Sequence, residues 1–251
     1  MEASPSHFKL VILGSAAGGG FPQWNFNCPQ CSAVRGGSRH HLPRTQSSIA
    51  VTANETDWLL INASPDVLQQ IKAFPALQPA RALRDTGIAA VLLMDAQIDH
   101  TTGLYMLREH HLPLPLWCHP LVRDDLMDGN PLFKVLYHYC GIDWHEVLLS
   151  SEGFTVPSIP GLRFTALPLT SNAPPYSPHR DQPQAGDNVG VTITETASGK
   201  RIFYAPGLGQ MEPHVWAAMQ AADCVLVDGT LWTEGEMIAL GASKKTLSVE
   251  V

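Results

Sequence analysis

The chain has 251 residues, 45% of them hydrophobic and 16% charged, with a formal net charge of -7. That supplies enough apolar material for a sizeable core, and the negative balance argues against nonspecific nucleic-acid binding, which needs basic patches. No stretch approaches the roughly 20 apolar residues of a membrane-spanning helix, the start MEASPSHFKLVILG lacks the basic opening and lengthy apolar region of a signal peptide, and five scattered cysteines argue for a reducing cytoplasm rather than a disulfide framework.

Apolar, β-rich runs predict strands at Lys9–Leu13, Ser48–Thr52, Trp58–Asn62, Ala89–Met94, Leu114–Cys118, Leu162–Pro168, Val189–Glu195, Arg201–Ala205 and Cys224–Asp228. Helices are predicted at Ser64–Phe74, Leu104–His110, Leu121–Gly129, Leu132–Gly141 and Pro213–Ala222. Hairpins are expected at Ala53–Asp57 and Ala197–Lys200, the second carrying Ser198-Gly199 turn chemistry. Strands with interspersed helices in both halves predict an α/β fold, a sandwich of sheets with outer helices, as one domain over residues 1–251. The Pro-rich, aperiodic stretch Asn172–Asp187 reads as a long loop of the kind that often carries function.

The most informative motif follows the fourth predicted strand. Asp95, Gln97, Asp99 and His100 form a DxQxDH run. Alternating positions after a strand point the same way, so the three acid and amide groups can converge, with His100 beside them. Carboxylates and an imidazole at a strand's carboxyl end suit a divalent metal. The same residues, with Thr101 and Thr102, also suit a solvated turn that caps a helix. Spacing alone leaves both readings open.

Other segments add candidates. The loop from Gly14 to Gly20 fits neither GxGxxG nor a lysine-bearing phosphate loop, and reads as a tight turn beside an active site. Cys28-Pro29-Gln30-Cys31 is a CxxC knuckle with zinc-ligand spacing, to which His40 and His41 could contribute; a redox pair or two unpaired thiols are the alternatives. Ser64 as N-cap with Pro65 behind it is a strong helix start, and Asn62 could face a site. His179 and Asp187 in the long loop could reach a metal or a polar substrate group. Asp228 ends a strand as Asp95 does, and could be a ligand, a supporting partner or a turn residue.

Taken together, the stretches LGSAAGGGFPQWN, RTQSSIA, NASPD, QPARALRDTGI, QIDHTTGL, APPYSPHR, FYAPGLGQ and LVDGTLW resemble the metallo-β-lactamase superfamily, and within it the branch that serves synthesis of pyrroloquinoline quinone (PQQ). The resemblance runs from Phe8 to about Glu236. It implies a metallo-β-lactamase-like αββα sandwich with the site at the strand ends. The superfamily's metal motif is HxHxDH, and here both leading histidines are replaced, by Asp95 and Gln97. An oxygen-rich donor set moves preference from zinc toward iron(II) or manganese.

The resemblance further implies iron(II)-dependent hydroxylation of the tyrosine ring of a small Glu-Tyr precursor, which makes the chain a non-haem iron oxygenase. The metal set would be Asp95, Gln97, Asp99, His100 and Asp228, with Asp95, Asp99 and His179 in catalytic roles. Other PQQ-pathway proteins are implied partners, and a homo-oligomer stays open. A carrier that moves PQQ or its precursor toward the periplasm, and a metal-dependent hydrolase, are the alternatives. Two departures stand out. Phe26 occupies the first position of a family CxCxxC pattern, leaving Cys28 and Cys31 as an incomplete structural zinc site. After Met237 the sequence loses resemblance, where the family usually continues with further active-site histidines, so the last family segment is expected to be lacking.

Overall fold

The computed structural model describes residues 8–229 together with 239 and 241. Two sheets form its frame. The first runs in the order β1-β2-β3-β4-β5-β6, from Lys9–Gly14, Ser48–Thr52, Trp58–Ile61, Ile88–Leu92, Leu114–Cys118 and Ile142–Glu146. The second runs β10-β9-β8-β7, from Cys224–Val227, Arg201–Ala205, Val189–Glu195 and Leu162–Pro168. The first three strands are antiparallel neighbours, and β3 to β6 are parallel. In the second sheet only the β9–β10 pair is parallel.

The period-two pattern of the strands builds the layers. Ile49, Val51, Leu59, Ile61, Ala90 and Leu92 pack between the sheets against Phe164, Ala166, Val191 and Ile193. Their neighbours Ala50, Leu60 and Val91 face the other way, onto Val67, Val122, Leu126, Phe133 and Leu136. These come from α2 (Val67–Ala73), α4 (Pro120–Asp124), a π turn (Asp125–Gly129) and α5 (Leu132–Leu136). On the outer face of the second sheet, Phe203 and Ala205 pack against Val215 of the helix Pro213–Gln220. Helices outside two stacked sheets give the expected αββα layering. No helix among the described residues is long and apolar enough to cross a membrane.

Several boundaries differ from the sequence reading. The helix predicted from Ser64 begins at Val67, because the Ser64 carbonyl accepts the Val67 N–H while the Ser64 hydroxyl is buried without a partner. The helix expected from Leu104 starts earlier, as α3 (Ile98–Thr101), and continues as a tight 3-10 segment, Thr102–Leu107. The predicted helix at Leu132–Gly141 stops at Leu136. Three elements went unread: the helix α1 (Pro29–Arg35), hidden inside the CxxC knuckle, the short 3-10 turn Pro75–Leu77, and the edge strand β6, whose IDWHE sequence has little apolar signal. The departure after Met237 lies outside the described residues.

Candidate functional site

The site lies at one end of the sandwich, where the chain crosses between sheets. Past β4, the Met94 carbonyl accepts the Val189 N–H at 2.9 Å, and Asp95 bridges Asn188. Asp95, Gln97, Asp99 and His100 all line one cavity of about 370 Å³, together with Asp228 from the end of β10. The DxQxDH residues thus share one cavity, placed there by a turn and a helix start rather than by strand alternation. Thr101 and Thr102 do not cap a helix: their hydroxyls bond back to the Gln97 and Ile98 carbonyls.

Asp95 is 1% exposed, and both its carboxylate oxygens stand 2.8 Å from His100 Nδ1. Its Oδ1 also accepts the Gln97 N–H at 2.9 Å, so the turn itself fixes the carboxylate. Burial opposes charge on the His100 ring, but Asp95, helped by Asp99 and Asp228, overrides it and pushes the imidazole up to about 9. Three carboxylates, from Asp95, Asp99 and Asp228, share the cavity with this ring. With Nδ1 held by Asp95, Nε2 is the ring nitrogen left for a ligand, as in carboxylate–histidine–metal arrangements.

The glycine-rich loop forms one wall, as a turn beside the site. Gly14, Ser15, Ala16 and Ala17 line the cavity. Gly14 admits no side chain, since a Cβ there would lie 2.1 Å from the Gln46 carbonyl. Gly18 sits against the Asp99 carboxylate, and a Cβ on Gly207 would lie 3.4 Å from Asp95 Oδ2. Gln97 Nε2 donates to the Asn172 carbonyl at 3.3 Å, tying the start of the long loop to the motif.

His179 stands elsewhere. Its Nδ1 pairs with Asp187 Oδ1 at 3.0 Å, near the buried Asp125 and Ser177, and it is not part of the cavity lining. Cys28 caps α1, its sulfur accepting the Cys31 N–H at 3.4 Å. Burial pushes the Cys31 thiol up, and the neighbouring Cys28 adds to this. His40 and His41 are exposed, and Phe26 is tied instead through its carbonyl to Arg35. Ser47, Ser171, Asn188 and Tyr204 line the cavity without having been singled out as site residues. For Tyr204 the available signal was its place at a strand end before Pro206-Gly207.

A divalent ion fits the donor chemistry of this cavity: an imidazole with one oriented nitrogen, two further carboxylates and an amide oxygen. Among the described residues, no three His, Cys, Asp or Glu side chains already stand gathered closely enough to hold one. His100, Asp99 and Asp228 would have to draw in around it, with Asp95 orienting the ring from behind.

Residues 57–250 match the beta-lactamase superfamily domain family. Coenzyme PQQ synthesis protein B of Azoarcus sp. (strain BH72) is 68% identical over 95% of this chain and 78% of that protein. The crystal structure of a Zn(2+)-bound PqqB from Methylobacterium extorquens superposes with a TM-score of 0.82 at 36% identity, over 94% of this chain and 78% of the other. A diphosphatase of the PhnP family shares the fold at a TM-score of 0.64 and 18% identity, over 87% of this chain and 73% of the other. The chain belongs to the beta-lactamase superfamily and, within it, to the coenzyme PQQ synthesis protein B family.

Proposed function

We propose that the chain acts in PQQ biosynthesis, in the cytoplasm, as an iron(II)-dependent oxygenase that hydroxylates the tyrosine ring of a Glu-Tyr-derived precursor. The observation that carries this reading is the Asp95–His100 pair, which leaves one ring nitrogen for a ligand in a cavity shared with Asp99 and Asp228. His100, Asp99 and Asp228 would hold the metal, and Gln97 could add its amide oxygen. When bound, iron(II) supplies the oxygen-activating chemistry; hard oxygen donors suit it better than they suit zinc. In the overall reaction one atom of O2 enters the ring and the other leaves as water, with two electrons from an external reductant such as ascorbate.

The protein's own contribution is positioning and charge. Asp95 fixes the His100 tautomer, and the apolar walls from Ile12, Ile49 and Leu226 suit an aromatic ring. Among the described lining residues there is no Lys or Arg. His179 is withdrawn from the reacting centre in this reading and holds the long loop through Asp187.

The test uses anaerobically iron-loaded protein, the dipeptide Glu-Tyr, ascorbate and O2. We expect oxygen uptake and one oxygen atom added to the ring by mass spectrometry, both lost in Asp99→Ala and His100→Ala. Metal-independent binding of the peptide without oxygen uptake would favour a carrier, and robust zinc-dependent ester or phosphodiester cleavage would favour a hydrolase.

A further inference from the structure

Gly207 lies just past β9 and lines the cavity. Its φ is not positive, so its backbone does not call for glycine. What the glycine saves is space. A Cβ there would lie 3.3 Å from Asn188 Oδ1 and 3.4 Å from Asp95 Oδ2. Residue 207 thus leaves open a niche about one atom wide, bordered by two oxygens at just beyond the usual hydrogen-bond range of about 2.7–3.2 Å.

The orientation of both oxygens is fixed. Asn188 is 2% exposed, and its Nδ2 donates to the Ser171 carbonyl at 3.3 Å and to the Asn172 carbonyl at 3.2 Å. Carbonyls only accept, so the amide has one orientation, and Oδ1 is the end turned toward Gly207. Among the described residues no donor reaches Asn188 Oδ1. Asp95 Oδ1 takes the Gln97 N–H, and both Asp95 oxygens face His100 Nδ1, so Oδ2 keeps capacity for a second donor.

Two acceptors call for an occupant with at least two N–H or O–H groups. A phenol hydroxyl donates once, and a carboxylate not at all. A primary ammonium donates three times, and its charge complements a cavity that holds Asp95, Asp99 and Asp228 and, among its described lining residues, no Lys or Arg. Water donates twice, and its occupancy is one outcome of the test.

We propose that Asn188 and Asp95 bind a primary ammonium group of an aromatic substrate in the niche that Gly207 leaves open. The aromatic part rests on the oxygenase reading, while the ammonium part is tested by binding without turnover. The free amino terminus of a Glu-Tyr peptide is a group of this kind. Asn188 is then a substrate-binding residue, and Gly207 determines specificity by its size.

Tyramine and its N,N,N-trimethyl derivative share a phenol ring and a positive charge, but only tyramine carries N–H groups on its nitrogen. Each is titrated calorimetrically into iron(II)-loaded protein without oxygen, with melting temperature followed in parallel. Tyramine should bind about tenfold to a hundredfold more tightly, the worth of hydrogen bonds to a charged group. Gly207→Ala fills the niche and should remove this preference. Equal affinities in the unaltered protein, the result if water fills the niche or if any cation is drawn in, would overturn the proposal. So would an undiminished preference in Gly207→Ala, or no tyramine binding at all. If the alanine variant melts markedly lower, the two amines in the unaltered protein decide alone. Absence of hydroxylation with the preference intact would count against the oxygenase reading alone.

Discussion

At the residue scale, the Asp95–His100 contact decides what the DxQxDH run does. Both Asp95 oxygens face Nδ1 and the carboxylate is 1% exposed, so it works behind the imidazole rather than in front of it. Asp95→Asn keeps the size but replaces one acceptor by a donor, which sets the amide against the Nδ1 proton and releases the ring from one tautomer. We expect metal affinity to fall about 10- to 100-fold, the usual effect of losing such a partner, in an iron(II) titration of anaerobic protein. Unchanged affinity would mean that Asp95 does not orient the ligand. The DxQxDH cluster was legible in sequence because it is local, four polar side chains within six positions, whereas Asp228 reaches the cavity from the end of β10 in the other sheet. The roles were not, since only the fold shows that Asp95 faces His100 while Asp99 faces Gly18. Ser47 and Tyr204 meet across more than 150 positions and leave no local trace.

At the element scale, the helix that carries His100 is placed by backbone contacts to the end of β3. The Ala63 N–H bonds the His100 carbonyl at 2.7 Å, and the Gly103 N–H bonds the Ala63 carbonyl at 2.9 Å. A Cβ at Gly103 would lie 2.2 Å from the Ser64 carbonyl, a backbone atom that cannot swing aside. Gly103→Ala should therefore cost about 1–3 kcal/mol, the range for forcing extra volume into a packed site, read by urea unfolding, and should weaken metal binding as α3 shifts. Wild-type stability would mean that the two elements separate without penalty. This contact also explains why the sequence misplaced the helix. The sequence reading began the helix at Leu104, just after Gly103, the point where the chain is pressed against another element. The strands were easier to read: Ser48–Thr52, Leu114–Cys118, Leu162–Pro168, Val189–Glu195 and Arg201–Ala205 have the expected bounds, because apolar runs buried between layers mark themselves. The edge strand β6 is only partly covered and its alternation is too weak to do so.

At the scale of the whole molecule, the two sheets share one apolar interior, and the cysteines report on its integrity. All five thiols are free, and they sample very different depths. Cys224 is exposed at the edge strand β10, whereas Cys118 at the end of β5 is fully buried. Burial pushes the Cys118 thiol up to about 12, only partly offset by Trp144 and Arg123. The thiolate is the reactive form, so at pH 8 Cys118 is protected twice, by access and by protonation. Reaction of native protein with DTNB should show a fast phase that Cys224→Ser removes. Cys118 should react only in denaturant, or in native buffer at the rate of unfolding when reagent outpaces reclosing. Peptide mapping after a timed quench distinguishes the two thiols. Rapid native labelling of Cys118 would show that the first sheet opens locally between β5 and its neighbours, so that the cavity at its end is held less firmly than the buried strands imply.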